Sequence, residues 1–171
     1  SDLLNKELSS NIFIKAENLQ KIGAFKFRGA MNSILKLHND KKNVLAWSSG
    51  NHAQAIASAC YLTNKKATIV MPEDSPKAKL NGTKSWGANI VTFDRYSESR
   101  EEIGTNLAKK INAEIIPPFD HPDVINGQGT VGYEIVSDFK KSNLQPDLVL
   151  CCCGGGGLIA GVSTAIKQQY P

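Results

Sequence analysis

Short apolar runs alternate with amphipathic stretches along most of the chain, and this alternation is typical of strands that are each followed by a helix. Strands are predicted at Asn11–Ala16, Val44–Trp47, Ala67–Met71, Asn89–Phe93, Glu114–Ile116 and Asp147–Cys153. Helices are predicted at Phe27–His38, Ala53–Thr63, Pro76–Trp86, Glu98–Ile111, Gln128–Lys141 and Leu158–Ile166. Repeated strand–helix–strand units predict an α/β fold with open, twisted parallel sheets that carry helices on both faces.

Three short segments, Gly23–Ala30, Ser48–His52 and Gly154–Gly157, combine glycine with polar or charged side chains or consist of glycine alone. Each lies between a predicted strand and the helix that follows it. Ligands of open parallel sheets bind beyond the carboxyl ends of the strands, so the three segments are predicted to meet at one site. Glycine N–H groups at the start of a helix approach an anion closely, and the last segment is therefore the predicted phosphate site.

Lys26 stands between Phe25 and Phe27, and these aromatic neighbours are expected to desolvate its amine and lower its pKa. A lysine in this state can form a Schiff base with an aldehyde. Taken alone, Lys26 also fits a surface lysine with a buried stem, and Ser48–His52 also fits a helix cap with His52 as a packing residue. Arg28 is predicted to pair with a carboxylate such as Glu17.

The glycine loop also fits a second motif. Gly155–Ala160 matches the dinucleotide-binding pattern G-x-G-x-x-G/A, and a nicotinamide-dependent oxidoreductase is therefore an alternative function. The acidic residue that supports this pattern is expected about 20 positions later, which falls beyond Pro171. Four successive glycines fit a single phosphate group better than a pyrophosphate.

Hydrophobic residues make up 41% of the chain and charged residues 21%, as in soluble globular proteins. The net charge is only +4 and lysines are scattered in pairs, which predicts solvated surface and no nucleic-acid partner. No run approaches the roughly 20 apolar residues that span a bilayer. Ser1–Ser10 lacks the basic and apolar pattern of a leader, so a cytoplasmic protein without a membrane partner is expected.

Three of the four cysteines are consecutive, at Cys151–Cys153, and would alternate between the faces of a strand. This arrangement fits neither a disulfide framework nor a zinc site, so reduced thiols are predicted. His121 and Asp123 flank Pro122 and are predicted to form a helix-capping turn. No metal site is therefore predicted in the chain.

Several motifs together resemble the serine/threonine dehydratase and serine racemase family, pyridoxal phosphate enzymes with the tryptophan-synthase-β-like fold, or fold type II. The matching segments are Lys15–Gln20, Gly23–Ala30, Ser48–Gln54, Met71–Pro72 with Pro76, Asp94–Tyr96, Pro117–Asp123, Gly127–Thr130 and Gly154–Gly157. Family members are nearly twice as long and have two domains. The resemblance therefore implies a truncated chain, with residues 43–125 as the smaller mobile domain and residues 1–42 and 126–171 as part of the larger one.

The same resemblance implies a role for each matching residue. Lys26 would form the Schiff base with pyridoxal 5'-phosphate, Phe25 would pack beside the pyridine ring, and Asn51 would bind its phenolic oxygen. The phosphate would be held by Gly154, Gly155, Gly156, Gly157 and Leu158. The substrate carboxylate would be received by Ser48, Ser49, Gly50, Asn51 and His52. Ser49 would also be the acid/base on the opposite face in racemases.

The activity that the resemblance implies is β-elimination from L-serine, L-threonine or 3-hydroxyaspartate, which yields a 2-oxo acid and ammonia. Serine racemase activity through Lys26 and Ser49 is a second implied reaction. The resemblance further implies a full-length homodimer and a divalent cation, Mg²⁺ or Ca²⁺, whose ligands lie outside this chain. The chain by itself is expected to be inactive, and a non-catalytic module that keeps the fold is a third alternative.

Overall fold

A computed structural model describes residues 2–171, which form four strands and seven α-helices. The strands are β1 (Asn43–Trp47), β2 (Lys66–Pro72), β3 (Asn89–Phe93) and β4 (Ala113–Ile115). The helices are α1 (Asp2–Leu8), α2 (Lys26–Leu35), α3 (Asn51–Leu62), α4 (Lys77–Lys84), α5 (Arg100–Ile111), α6 (Pro122–Lys141) and α7 (Gly157–Lys167). Two short 3₁₀ helices, Glu17–Leu19 and Lys21–Gly23, precede α2.

The four strands form one sheet in the order β3-β2-β1-β4, and every neighbouring pair is parallel. A helix connects each strand to the next one, as parallel pairing requires. Successive residues of β2 contribute to opposite faces, so Ile69 and Met71 pack beneath α2 and α3, whereas Val70 packs towards α5. The predicted α/β fold with a helix-covered parallel sheet is therefore confirmed.

Three helices form a second layer beside the sheet, because glycines allow α2, α6 and α7 to approach closely. A Cβ atom at Gly127 of α6 would lie only 2.6 Å from the carbonyl oxygen of Arg28 in α2. Gly132 of α6 faces Val162 of α7 in the same way, since a Cβ atom there would lie 2.7 Å from the Val162 carbonyl oxygen. These close approaches fix the positions of α2 and α7 relative to the same helix.

Two predicted strands are wrong: Asn11–Ala16 and Asp147–Cys153 have no strand structure in the described residues. The alternation that suggested a strand is present in the second segment, where Val149 packs against the α6–α7 cluster and Leu150 is 87% exposed. Alternation shows that one face is buried, but a strand also requires a hydrogen-bonded neighbour. Within residues 2–171 neither segment pairs with another strand.

Helix α6 begins at Pro122, earlier than the predicted Gln128, and helix α1 was not predicted. His121 caps α6, because its Nδ1 accepts a hydrogen bond from the N–H of Asp123 at 3.2 Å. The predicted capping turn at this position is confirmed. Its proline at the first helical position also suits a helix start.

Among residues 2–171, no helix combines the length and the apolar character that crossing a membrane requires. The same residues contain no group of three or more His, Cys, Asp or Glu side chains that could hold a metal ion. All four cysteines are free thiols. Burial raises the pKa of the Cys60 thiol to about 12, so this thiol stays protonated at neutral pH.

Candidate active site

Lys26 is the first residue of α2, and the turn before it points the chain into the helix. Gly23 has a φ of +71°, a conformation that glycine adopts without the strain of a Cβ atom. The Nζ atom of Lys26 donates a hydrogen bond to the carbonyl oxygen of Pro118. It also lies 5.3 Å from the ring centre of Phe25 and 5.9 Å from that of Phe119.

Burial lowers the pKa of the Lys26 amine, as predicted from its sequence neighbours. The second aromatic ring near the Lys26 amine is that of Phe119, however, and not that of Phe27. The Phe27 ring centre instead lies 5.8 Å from the Nζ atom of Lys21. A lowered pKa increases the neutral fraction of the amine, and the neutral amine is the form that attacks a carbonyl carbon.

The glycine loop lies directly against Phe119. A Cβ atom at Gly155 would overlap the Phe119 ring, and one at Gly157 would lie 2.9 Å from the Phe119 carbonyl oxygen. A Cβ atom at Gly154 or Gly156 would meet no atom within 4 Å, so this side of the loop is open. The lysine and the glycine loop, which are far apart in sequence, therefore contact the same aromatic residue.

The loop Ser48–Gly50 connects β1 to α3 at the carboxyl edge of the sheet, where it was predicted. Its backbone is held by the Ser48 N–H, which donates to the carbonyl oxygen of Val70 in β2 at 3.1 Å. The Ser48 hydroxyl accepts a hydrogen bond from the Gly50 N–H at 3.2 Å. Ser49 is exposed, and its hydroxyl has no hydrogen-bond partner among residues 2–171. Ser49 is therefore the free hydroxyl of this loop.

His52 serves the fold through its side chain, because it is buried in the second position of α3. Its Nε2 atom lies 2.9 Å from the carbonyl oxygen of Ile116 and donates to it. Burial, with a smaller contribution from the nearby charge of Lys26, lowers the pKa of His52 to about 4. The imidazole is therefore neutral at neutral pH and joins α3 to the segment that follows β4.

Asn51, the first residue of α3, has one side-chain atom engaged and one available. Its Oδ1 atom accepts a hydrogen bond from the Nζ of Lys79 at 2.9 Å. The Nδ2 group consequently keeps both of its N–H donors for another acceptor. An amide fixed in this way presents a donor at the edge of the candidate site.

The segment Ile116–Phe119, directly after β4, contacts three parts of the site. Its Ile116 carbonyl binds His52, its Pro118 carbonyl binds Lys26, and its Phe119 ring supports Gly155. In the sequence this segment stood out only as an irregular stretch within the family resemblance. The one available signal was the Pro117–Pro118 pair, since consecutive prolines hold the backbone extended and leave its carbonyl groups free of helical bonds.

Arg28 lies two residues after Lys26 and forms a second, highly charged cluster. Its guanidinium donates two hydrogen bonds to Glu17 at 2.8 Å and two to Glu134 of α6 at 2.7 and 2.8 Å. The predicted pairing of Arg28 with Glu17 is confirmed. Lys15 adds an ion pair to Glu134 at 2.7 Å. The cluster ties the first turn of α2 to the chain before it and to α6.

The residues that converge here fit an aldehyde cofactor that carries one phosphate group. Lys26 provides an amine of lowered pKa, and the open side of the glycine loop lies at the start of α7. Gly156 has a φ of +87°, which permits the sharp entry into that helix. Main-chain N–H groups at a helix start bind phosphate without any charged side chain.

The chain is similar to known proteins along its whole length. A family described as pyridoxal-phosphate dependent enzyme matches residues 1–171. The chain is 49% identical to the L-threo-3-hydroxyaspartate ammonia-lyase of Saccharomyces cerevisiae and 42% identical to the serine racemase of Schizosaccharomyces pombe. Each alignment covers 100% of this chain and 52% of the relative.

A solved structure leads to the same group of proteins. The structure of maize serine racemase superposes with a TM-score of 0.92 and 37% identity. The match covers 98% of this chain and 50% of that one. The chain therefore spans about half the length of the relatives that it matches.

Proposed function

Because this chain belongs to the family of pyridoxal-phosphate dependent enzymes, we propose that it supplies the lysine, phosphate loop and substrate loop of an ammonia-lyase. The substrate class is the β-hydroxy amino acids, with 3-hydroxyaspartate, L-serine and L-threonine as candidates. The observation that supports this most is the shared contact of Lys26 and Gly155 with Phe119. The relatives named above act on substrates of this class or interconvert the enantiomers of serine.

In this proposal Lys26 holds the cofactor and later takes the Cα proton of the substrate. Burial favours both tasks, because each requires the neutral amine. The Pro118 carbonyl positions Nζ by accepting its hydrogen bond, and Phe25 packs beside the cofactor ring. The bound cofactor supplies an electron sink for the charge that develops at Cα.

The phosphate group is assigned to the N–H groups of Gly154–Gly157 and to Leu158 in the first turn of α7. Asn51 is assigned to the phenolic oxygen of the cofactor ring, with Nδ2 as the donor because Lys79 already binds Oδ1. Both assignments use groups that the fold leaves open. No charged side chain of the described residues is required at the phosphate.

The substrate carboxylate is assigned to the loop Ser48–Gly50 with the first residues of α3. In this assignment His52 contributes only its main-chain N–H, since its imidazole is neutral and bound to Ile116. Ser49 has a free hydroxyl and is the proposed proton donor on the face opposite Lys26. Proton return from Ser49 would produce racemisation, so serine racemase activity is the second candidate function.

The wider organisation also remains a proposal. The sheet with helices α3, α4 and α5 forms the proposed smaller domain, residues 43–125, although α6 already begins at Pro122. We place the boundary in the loop before this helix, because a helix is a poor hinge. A homodimer and a Mg²⁺ or Ca²⁺ site are proposed for the full-length protein. A nicotinamide oxidoreductase has no support beyond the Gly155–Ala160 pattern.

The direct test uses Lys26→Ala in the full-length protein. The substitution should abolish the visible absorbance of the bound cofactor and the release of ammonia from L-serine, L-threonine and L-threo-3-hydroxyaspartate. Lys42→Ala, which removes an exposed lysine far from the site, should preserve both. Full absorbance in Lys26→Ala would contradict the assignment.

Two further measurements complete this test. Enantiomer analysis of the serine that remains separates elimination from racemisation, and Ser49→Ala should suppress racemisation far more than elimination. Assays of the 171-residue chain alone should detect no turnover, because it spans about half of its relatives.

A further inference from the structure

Lysines that are scattered in the sequence come together at the amino edge of the sheet. Lys41 and Lys42 precede β1, and Lys65 and Lys66 lie at the start of β2. The register pairs Asn43 with Lys66, and the Lys66 N–H donates to the Lys42 carbonyl oxygen at 2.8 Å. Parallel strands begin at the same edge, so the two pairs are neighbours although 24 residues separate Lys41 from Lys65.

A cavity of about 560 Å³ opens at this edge. Its lining includes Lys65 and Lys66, the polar side chain of Asn43 and two aromatic residues, Tyr61 and Trp86. The two rings form an edge-to-face pair with their centres 5.7 Å apart. A volume of this size is typical of small-molecule sites.

The positive charge at the cavity is not neutralised within residues 2–171. Lys42, Lys65 and Lys66 form no ion pair with a carboxylate, and no Asp or Glu lines the cavity. The Lys65 ammonium donates to the carbonyl oxygen of Lys41 at 2.6 Å, which positions it without cancelling its charge. Unpaired ammonium groups beside a concave surface attract small anions.

Tyr61 and Trp86 indicate a second property of the ligand, a flat ring. Tyr61 is 64% exposed, and the partly buried Trp86 lies next to it, two residues after the end of α4. Aromatic rings that line a cavity offer a surface on which a flat ligand ring can pack. The Cys60 thiol, which also lines the cavity, stays protonated and offers no nucleophile.

We propose that this cavity binds a small anion that carries a flat ring, either an aromatic phosphate or an aromatic carboxylate. Lys65 and Lys66 contact the anionic group, and Tyr61 and Trp86 contact the ring. The cavity is distinct from the candidate active site, because the seven residues of β2 separate the two edges of the sheet by about 20 Å.

Isothermal titration of the full-length protein, with pyridoxal phosphate already bound, tests the proposal. Phenyl phosphate and phenylacetate test the phosphate and the carboxylate as the anionic group. Inorganic phosphate lacks the ring, and phenol lacks the anionic group. At least one of the first two should bind saturably, and about tenfold more tightly than either half. The tighter of the two identifies the preferred anion.

A matched pair of double variants separates contact from general charge. Lys65→Gln with Lys66→Gln should weaken binding at least tenfold, whereas Lys109→Gln with Lys110→Gln, which removes the same charge outside the cavity lining, should change it less than twofold. Tyr61→Ala should reduce the advantage of the ring-bearing anion over inorganic phosphate. Thermal unfolding checks that each variant is folded.

The proposal is overturned if neither probe binds saturably, if both double variants lose affinity equally, or if the ring adds nothing. Ammonia release and cofactor absorbance are recorded on the same samples. Loss of binding with both signals retained assigns the effect to the cavity. Absence of both signals in the unmodified protein would instead reject the proposed function and leave the binding result standing.

Discussion

Lys26 and Arg28 are two cations in the first turn of one helix, yet their surroundings are opposite. Lys26 lies among Phe25, Phe119 and a carbonyl oxygen, and burial lowers its pKa. Arg28 is bound by the carboxylates of Glu17 and Glu134, and these hydrogen bonds raise its pKa further. The pKa of each cation therefore depends on the groups that surround its side chain and not on its position in the sequence.

The difference separates two tasks at the candidate site. An amine in an apolar environment without a carboxylate partner can lose its proton, so Lys26 is suited to chemistry. A guanidinium held by two carboxylates is permanently charged and fixed in place, so Arg28 is suited to support. A substitution in one of these two clusters should therefore leave the other unchanged.

The largest effect is expected from Arg28→Met, which keeps much of the side-chain volume but leaves Glu17 and Glu134 without their shared partner. The expected loss in the free energy of unfolding is about 2 kcal/mol, less than for a fully buried pair because Glu134 is partly exposed. Lys15→Met removes a more exposed cation of the same cluster and should cost less than about 1 kcal/mol. Urea unfolding measures both.

Equal losses for Arg28→Met and Lys15→Met would contradict the central role assigned to the guanidinium. The same samples should retain cofactor absorbance under conditions where they are folded, because neither side chain touches Lys26. A loss of absorbance in folded Arg28→Met would show instead that the two clusters are not independent.

A smaller effect, on cofactor binding, is expected from alanine substitutions in the glycine loop that lies against Phe119 beside Lys26. Gly155→Ala places a Cβ atom against the Phe119 ring and should push the ring away from Lys26, weakening cofactor binding about tenfold. Gly154→Ala places the same atom in open space away from Phe119, so it should weaken binding less than Gly155→Ala, and only as far as the methyl group meets the phosphate. Titration of the full-length apoprotein with pyridoxal phosphate compares them, and equal affinities would reject the proposed contact.

The sheet was predictable because its pattern is local. The run Val44–Ala46 is fully buried between helices, and such runs bounded by turns indicate interior strands. The position of Ser48–Gly50 at the carboxyl edge followed directly from that strand. The segment Asp147–Cys153 shows the limit, since its alternation indicated one buried face but carried no information about a strand partner.

The contacts that assemble the site were not predictable from residue types. The Pro118 carbonyl binds an amine 92 residues away, and every residue has a carbonyl, so no side-chain pattern marks it. Phe119 was quoted within a motif, but its position between Lys26 and Gly155 depends on the path of the chain after β4. The gathering of Lys42 beside Lys66 likewise depends on parallel register, which appears only in the folded sheet.

The smallest effect concerns the charge cluster and appears only in acid. Hydrogen bonds from Arg28 and Lys15 lower the pKa of Glu134 from its ordinary value of 4.5 to about 2. A carboxylate with a lowered pKa in the folded state stabilises the fold fully above pH 4.5, and this contribution falls as the pH decreases towards 2. Glu134→Gln should therefore be less stable than the original protein at pH 6, with the difference shrinking as the pH falls to 3.

Asp94 also has a lowered pKa but lies on an exposed turn outside the cluster, so Asp94→Asn serves as the control and should leave Arg28 and its partners unaffected. Urea unfolding at pH 6 and pH 3 measures the free energy of unfolding of each protein. If the difference between Glu134→Gln and the original protein stays constant between these pH values, the charge of Glu134 does not stabilise the fold through Arg28 and Lys15.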